Sequence, residues 1–299
     1  MVSSYPSIQP FLAYLQFEKR FSRHTITSYQ TDLISFFDYI EITFGATPVD
    51  QLSHTIIRSW LASLKEEGLT AKSINRKIST LRSFFKYEIK RGVLSQSPMG
   101  KVTAPKIEKR LPQFVADKDI ATLFDHVTFS EDWKGKTDRL ILLIFYNTGM
   151  RLSEAINLKQ SSIDFSGQSV KVLGKGNKER IIPVNASLLE EIKKYTDEKT
   201  SLKDFIPSTV LLVSEKGKAL TPRAVYTSVK KYLSLITTIE KRSPHILRHT
   251  FATHLMNNGA DLNAVKELLG HSSLAATQVY THNTIEKLKN IHKKAHPKA

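Results

Sequence analysis

Through the first hundred residues apolar side chains recur every three or four positions and do not alternate as they would in a strand. Ile8, Phe11, Leu12 and Leu15 form one stripe, and Tyr29, Leu33, Phe36, Phe37 and Ile40 a second. Ile57, Trp60, Leu61 and Leu64 form a third, which Gly68 ends. The fourth spans about Ser73, read as its N-cap, to Gly92, with Ile74, Ile78, Leu81, Phe85 and Tyr87 as its apolar positions. These spacings predict an all-α first module.

The pattern lapses from Gly100 to Gln113, GKVTAPKIEKRLPQ, where prolines and cations mark an extended linker. The expected division is therefore 1–99, linker 100–113, and 114–299. Helical spacing resumes near Asp117 and again over Asp138 to Thr148, then around Leu152 to Leu158. There the period shifts to two. Ser162 to Phe165, Ser169 to Leu173 and Arg180 to Val184 read as three strands of a small antiparallel sheet, joined by SGQ and GKGNKE turns. Helices follow from about Ala186, from Pro222 behind a Thr221 cap, and through the closing residues.

Composition narrows the function classes. Lys and Arg number 44 against 28 Asp and Glu, a formal charge of +16, which favours a polyanionic partner. Nucleic acid is the first reading, with an anionic membrane surface or simple solubility as alternatives. The chain has no cysteine, so disulfides, thiolate metal sites and cysteine nucleophiles are excluded. The start, MVSSYPSIQPFLAYLQFEKR, lacks the pattern of a secretory signal. The longest apolar run, Leu140 to Tyr146, falls far short of the ~20 residues of a membrane span. The expectation is a soluble, intracellular protein.

Candidate chemistry concentrates between Pro244 and His282. Ser243-Pro244-His245 reads as a helix start, which puts His245 near free N–H groups and Arg248 on the same face one turn later. Taken alone, HxxR is better read as an ordinary buried histidine and an arginine paired with a carboxylate. Arg151 follows Thr148-Gly149-Met150 at a turn between helices, with Glu154 placed to steady it or merely to pair with it at the surface. Lys175, in a glycine-flanked hairpin, has the chemistry of a general acid among cations. His271 sits at a helix junction after Gly270, and Tyr280 lies on the next helix, where half-buried packing is the plain alternative. Arg76, Lys77, Arg82 and Lys86 on the fourth helix, with Lys178 and Arg180 beside the hairpin, are the expected DNA contacts, against the alternative of a solvated face.

The motifs TGMRLSE, GKGNKERIIPV, SPHILRHTFATHL, LLGHSS and ATQVYTH occur in that order. Together they resemble the catalytic domain of the tyrosine recombinases, most closely the bacterial Xer type that resolves chromosome dimers. The resemblance runs from about Leu111 to the C-terminus. It is weaker in the N-terminal helices, through SRHTITSYQTDL and NRKISTLRSFF.

The resemblance implies an all-α, SAM-like core-binding domain followed by a mainly α catalytic domain with a small antiparallel β-sheet. It places the catalytic set on Arg151, Lys175, His245, Arg248, His271 and Tyr280. Tyr280 would form a 3′-phosphotyrosine bond to double-stranded DNA, without metal, cofactor or ATP. It further implies a homo- or hetero-tetramer with a related recombinase on DNA, a DNA translocase partner of the FtsK type, and a cytoplasmic enzyme. The segment from Thr284 onward, with Ile285, Leu288 and Ile291, corresponds to the family's C-terminal helix, which docks on a neighbouring protomer. The rival readings are a mobile-element or phage integrase, a type IB topoisomerase, and a DNA-binding regulator that has lost activity.

Overall fold

In the computed structural model the chain divides into two compact units, Met1–Arg110 and Leu111–Ala299. The structure describes residues 5–107, 113–174, 178–201 and 208–270.

The first unit contains α1 (Ile8–Ala13), which runs into a π-helical turn, then α2 (Arg23–Phe44), α3 (His54–Glu66) and α4 (Ala71–Lys90). A hydroxyl caps each of the last three: Ser22 accepts from the Thr25 amide, Ser53 from Ile56 and Thr70 from Ser73. Thr70 rather than Ser73 is thus the cap of α4. The helix begins before its apolar stripe because Ala71 and Lys72 are good helix formers that carry no apolar signal. The stripes meet in an aromatic core of Phe11, Phe36, Trp60, Phe84 and Phe85, with the Phe36 and Trp60 rings edge-on at 4.9 Å. Met99 and Val102 also bury in this core, and Asn75 donates to the Pro105 carbonyl at 3.0 Å. The first residues of the expected linker therefore lie against the helical unit.

The second unit contains α5 (Asp117–Asp125), α6 (Trp133–Thr148) and α7 (Leu152–Ile156), then strands β1 (Ile163–Asp164), β2 (Ser169–Leu173) and β3 (Glu179–Pro183). Helices α8 (Ala186–Lys199), α9 (Pro222–Ile236), α10 (Pro244–Asn257) and α11 (Leu262–Leu269) follow. From Leu140 to Phe145 helix α6 is apolar on all sides, and α8 and α10 both pack on the helix, burying Leu140, Ile141, Leu142, Ile144 and Phe145. It starts at Trp133, ahead of the expected Asp138, because Asp132 accepts from the Gly135 amide at 2.7 Å. The sheet is antiparallel in the order β1-β2-β3, with Val170 opposite Ile182 and Val172 opposite Arg180. The architecture is the one expected: an all-α bundle and a mainly α unit with a three-stranded antiparallel sheet.

Residues 114–117 strap onto α10. The Val115 amide donates to Thr250 Oγ1 at 3.0 Å, and His254 Nε2 lies 2.9 Å from the Val115 carbonyl. Among the described residues no helix is long and apolar enough to cross a membrane.

Candidate active site

Two glycines end the helices that frame the site. Gly149 closes α6 and Gly270 closes α11, both left-handed at φ +58° and +64°. A Cβ on Gly149 would lie 2.4 Å from the Phe251 ring, so only glycine lets α10 approach this closely. Helix C-termini present carbonyls without intrahelical partners and with partial negative charge. Here arginines occupy them. Arg180 Nε donates to Leu268 O at 2.7 Å, Arg248 Nη2 to Leu269 O at 2.6 Å, and Arg151 Nη2 to Gly270 O at 3.1 Å. Arg248 Nη1 also donates to Gly149 O at 2.5 Å. Three successive carbonyls at the end of α11 thus hold three arginines from three elements. Carbonyls orient a guanidinium without cancelling its charge.

Glu154 completes the frame. It sits in the first turn of α7, buried, and accepts the Arg151 amide at 2.8 Å and Arg151 Nη1 at 2.8 Å. Arg180 Nη1 and Nη2 reach its two oxygens at 3.0 and 2.7 Å. Burial pushes this carboxyl up, but the hydrogen bonds from Arg180 and Arg151 outweigh it and hold Glu154 below the usual carboxylate range. The sequence left Glu154 open between steadying Arg151 and a surface pair. The structure shows a buried, shared carboxylate.

Helix α10 starts as the sequence predicted, with Ser243 before it and Pro244 in its first turn, although the Ser243 side chain makes no cap bond. His245 is exposed, whereas Arg248 is buried with 3% of its surface accessible. The bland reading of the HxxR pair, a buried histidine with an arginine paired to a carboxylate, does not describe this geometry: His245 is exposed and Arg248 donates to backbone carbonyls. His249, next along the helix, is pushed down to about 4 by burial and by neighbouring His245.

Arg151, His245 and Arg248 line one cleft of about 540 Å³, together with Pro222, Tyr226 and Ser243. Lys175, His271, Tyr280 and the tail from Thr284 onward lie outside the described residues. At the end of the β2–β3 ladder the Gly174 amide donates to Lys178 O at 2.8 Å. Tyr226 was not anticipated. Helical spacing from the buried Val225 and Val229 of α9 turns it outward, which was the available signal.

The expected DNA contacts separate into two groups. Arg82, Lys86 and Lys178 are exposed, with Arg82 also 3.4 Å from the Val102 carbonyl, and Arg76 keeps 49% of its side chain accessible. Lys77 and Arg180 sit differently. The Lys77 side chain is 9% exposed and pairs at 3.2 Å with Asp32, which is itself inaccessible and also binds Arg76 and Thr80. The Arg180 side chain is 10% exposed and committed to Glu154 and Leu268. Burial in internal ion pairs runs against a direct contact of either residue with a DNA backbone. Among the described residues no group of three or more His, Asp and Glu could hold a metal ion.

Comparison with known proteins decides the family. The sequence profile of the phage integrase family matches residues 113–287, and that of the phage integrase N-terminal SAM-like domain matches residues 8–92. The chain belongs to the phage integrase family. It is a tyrosine recombinase, with the family's DNA strand-transfer chemistry. The recombinase is 35% identical to tyrosine recombinase XerC of Chlorobaculum parvum over 98% of this chain and 94% of that one. It is 38% identical to the XerC of Listeria innocua over 97% of both. Its fold is similar to that of the XerH site-specific recombinase bound to a palindromic difH substrate in a post-cleavage complex. That match has a TM-score of 0.79 and 23% identity, over 98% of this chain and 95% of that one. The pre-cleavage XerH complex with difH gives a TM-score of 0.70 and 25% identity, over 89% and 79%.

Proposed function

We propose that this recombinase cuts and rejoins DNA with Tyr280 as nucleophile, and that it resolves chromosome dimers at a dif-like site. The observation that carries the reading is the cleft where Arg151, His245 and Arg248 meet, its arginines seated on helix-end carbonyls. Tyr280 Oη attacks the phosphorus in line, and the bond from phosphorus to the 5′ oxygen breaks. A 3′-phosphotyrosine and a free 5′ hydroxyl result, and the retained phosphodiester allows rejoining without ATP. Tyrosine has a pKa near ~10, so it needs a proton acceptor, which His245 provides. Arg151 and Arg248 hold the non-bridging oxygens as charge develops, with His271 as a further donor. Lys175 protonates the departing 5′ oxygen.

Arg76, Arg82, Lys86 and Lys178 contact the DNA backbone, and the tail from Thr284 docks on a neighbouring protomer in a tetramer. A DNA translocase controls the reaction. The chromosomal role is supported by XerC relatives that match along nearly the whole chain and by the difH-bound XerH of similar fold. The donor set of two arginines and a histidine supports metal-free cleavage, because it supplies positive charge without carboxylate ligands.

A plasmid carrying two copies of the site tests the function. Exchange between the copies, undiminished by a chelator, is expected. Relaxation of supercoils without exchange contradicts recombination, and chelator inhibition reversed by a divalent ion contradicts metal-free cleavage.

A further inference from the structure

Arg180 is the second residue of β3, directly after the turn that carries Lys175 in the sequence. Its fork reaches both oxygens of Glu154, and its Nε reaches the carbonyl of Leu268. Glu154 in turn holds the backbone and guanidinium of Arg151. Leu268 belongs to the helix end whose next two carbonyls hold Arg248 and Arg151. One planar side chain therefore ties together the hairpin, the start of α7 and the end of α11. The fit is close: a Cβ on Gly270 would press on the Arg180 stem at 3.2 Å, and one on Gly174 would meet its Nη1 at 3.4 Å.

We infer that Arg180 is a positioning residue that fixes the described base of the β2–β3 hairpin, through Glu154, against Arg151 and the end of α11. The inference rests on the reading above, in which Lys175 protonates the leaving oxygen and Arg151 holds the phosphate. Lysine is no substitute at this position. A single ammonium cannot span two carboxylate oxygens and a carbonyl in the fixed directions of a guanidinium.

The experiment compares wild type, R180K, R180M and R248A for single-turnover adduct formation. Each acts on an ordinary nicked duplex and on one with sulfur as the bridging 5′ atom. A 5′ thiolate leaves without receiving a proton, so misplacement of Lys175 matters little on that substrate. R180K and R180M are expected to cleave ordinary DNA about 100-fold more slowly than wild type. Sulfur substitution should recover most of that loss, while R248A should not recover. Thermal unfolding is followed alongside; if R180M fails to fold, R180K, which keeps the charge and most of the volume, decides. R180K at the wild-type rate, or slowed equally on both substrates, overturns the role of Arg180. Absence of adduct from wild type overturns the underlying function together with it.

Discussion

Helix α4 and the end of α11 both gather cations, with different anchors. Under α4 the anchor is the carboxylate of Asp32, which is inaccessible to solvent and draws in Arg76 and Lys77. At α11 the anchors are backbone carbonyls, with Glu154 shared between Arg151 and Arg180. A carboxylate offsets the charge it binds, so the first arrangement closes the core of a bundle. Carbonyls fix direction and leave charge in place, so in the second arrangement Arg248, and Arg151 beside the shared Glu154, line a cleft. Cations that look equivalent in sequence thus serve packing in one unit and the site in the other.

Replacing each anchoring carboxylate tests that contrast most strongly. Asp32→Ala and Glu154→Ala both strip a buried carboxylate from two cations, and each is expected to lose about 3–5 kcal/mol in denaturant unfolding. A loss under about 1 kcal/mol in either would mean that the pair is solvated in solution. Arg248→Ala should then separate stability from function. Adduct formation is expected to fall by about 100- to 1000-fold, while DNA retention in a mobility-shift assay changes far less. An unchanged cleavage rate would remove Arg248 from the chemistry.

A smaller effect comes from His249. Its folded value, about 4, lies below the ordinary 6.5, so the unfolded chain takes up the proton first as pH falls. Stability should therefore be complete above pH 6.5 and decline by roughly 3 kcal/mol toward pH 4. His249→Gln should flatten that part of the profile, and an unaltered slope would assign it to other groups. The smallest change is expected from Lys86→Ala on the exposed face of α4. Unfolding should not shift, and the slope of log affinity for DNA against log salt should drop by about 1. An unchanged slope would mean that Lys86 is merely solvated.

Periodicity made most of the fold legible. The stripes through Phe11, Phe36, Trp60 and Phe85 announce the bundle, alternation in Ser169–Leu173 announces β2, and Thr221-Pro222 announces the start of α9. The same rules, applied more strictly, would have turned Lys77 and Arg180 inward. Lys77 lies three residues after buried Ile74, and Arg180 shares a strand face with buried Ile182. Charge alone drew both to the surface in the sequence reading. The motifs picked out Arg151, His245 and Arg248, which the structure brings into one cleft. Glu154 was legible as a partner of Arg151, but the carbonyl anchors were not, because a backbone carbonyl at a helix end leaves no mark of its own in the sequence beyond the closing glycine.

Covalent trapping probes the cleft most directly. The recombinase would be incubated with fragmented genomic DNA of its source, stopped with denaturant and digested, and the DNA-linked peptide and DNA end would be identified. A 3′-phosphate joined to Tyr280, absent when Tyr280→Phe is used, is the expected result. An adduct on another residue that survives Tyr280→Phe, or no adduct with any fragment, would contradict a tyrosine attack directed by Arg151, His245 and Arg248.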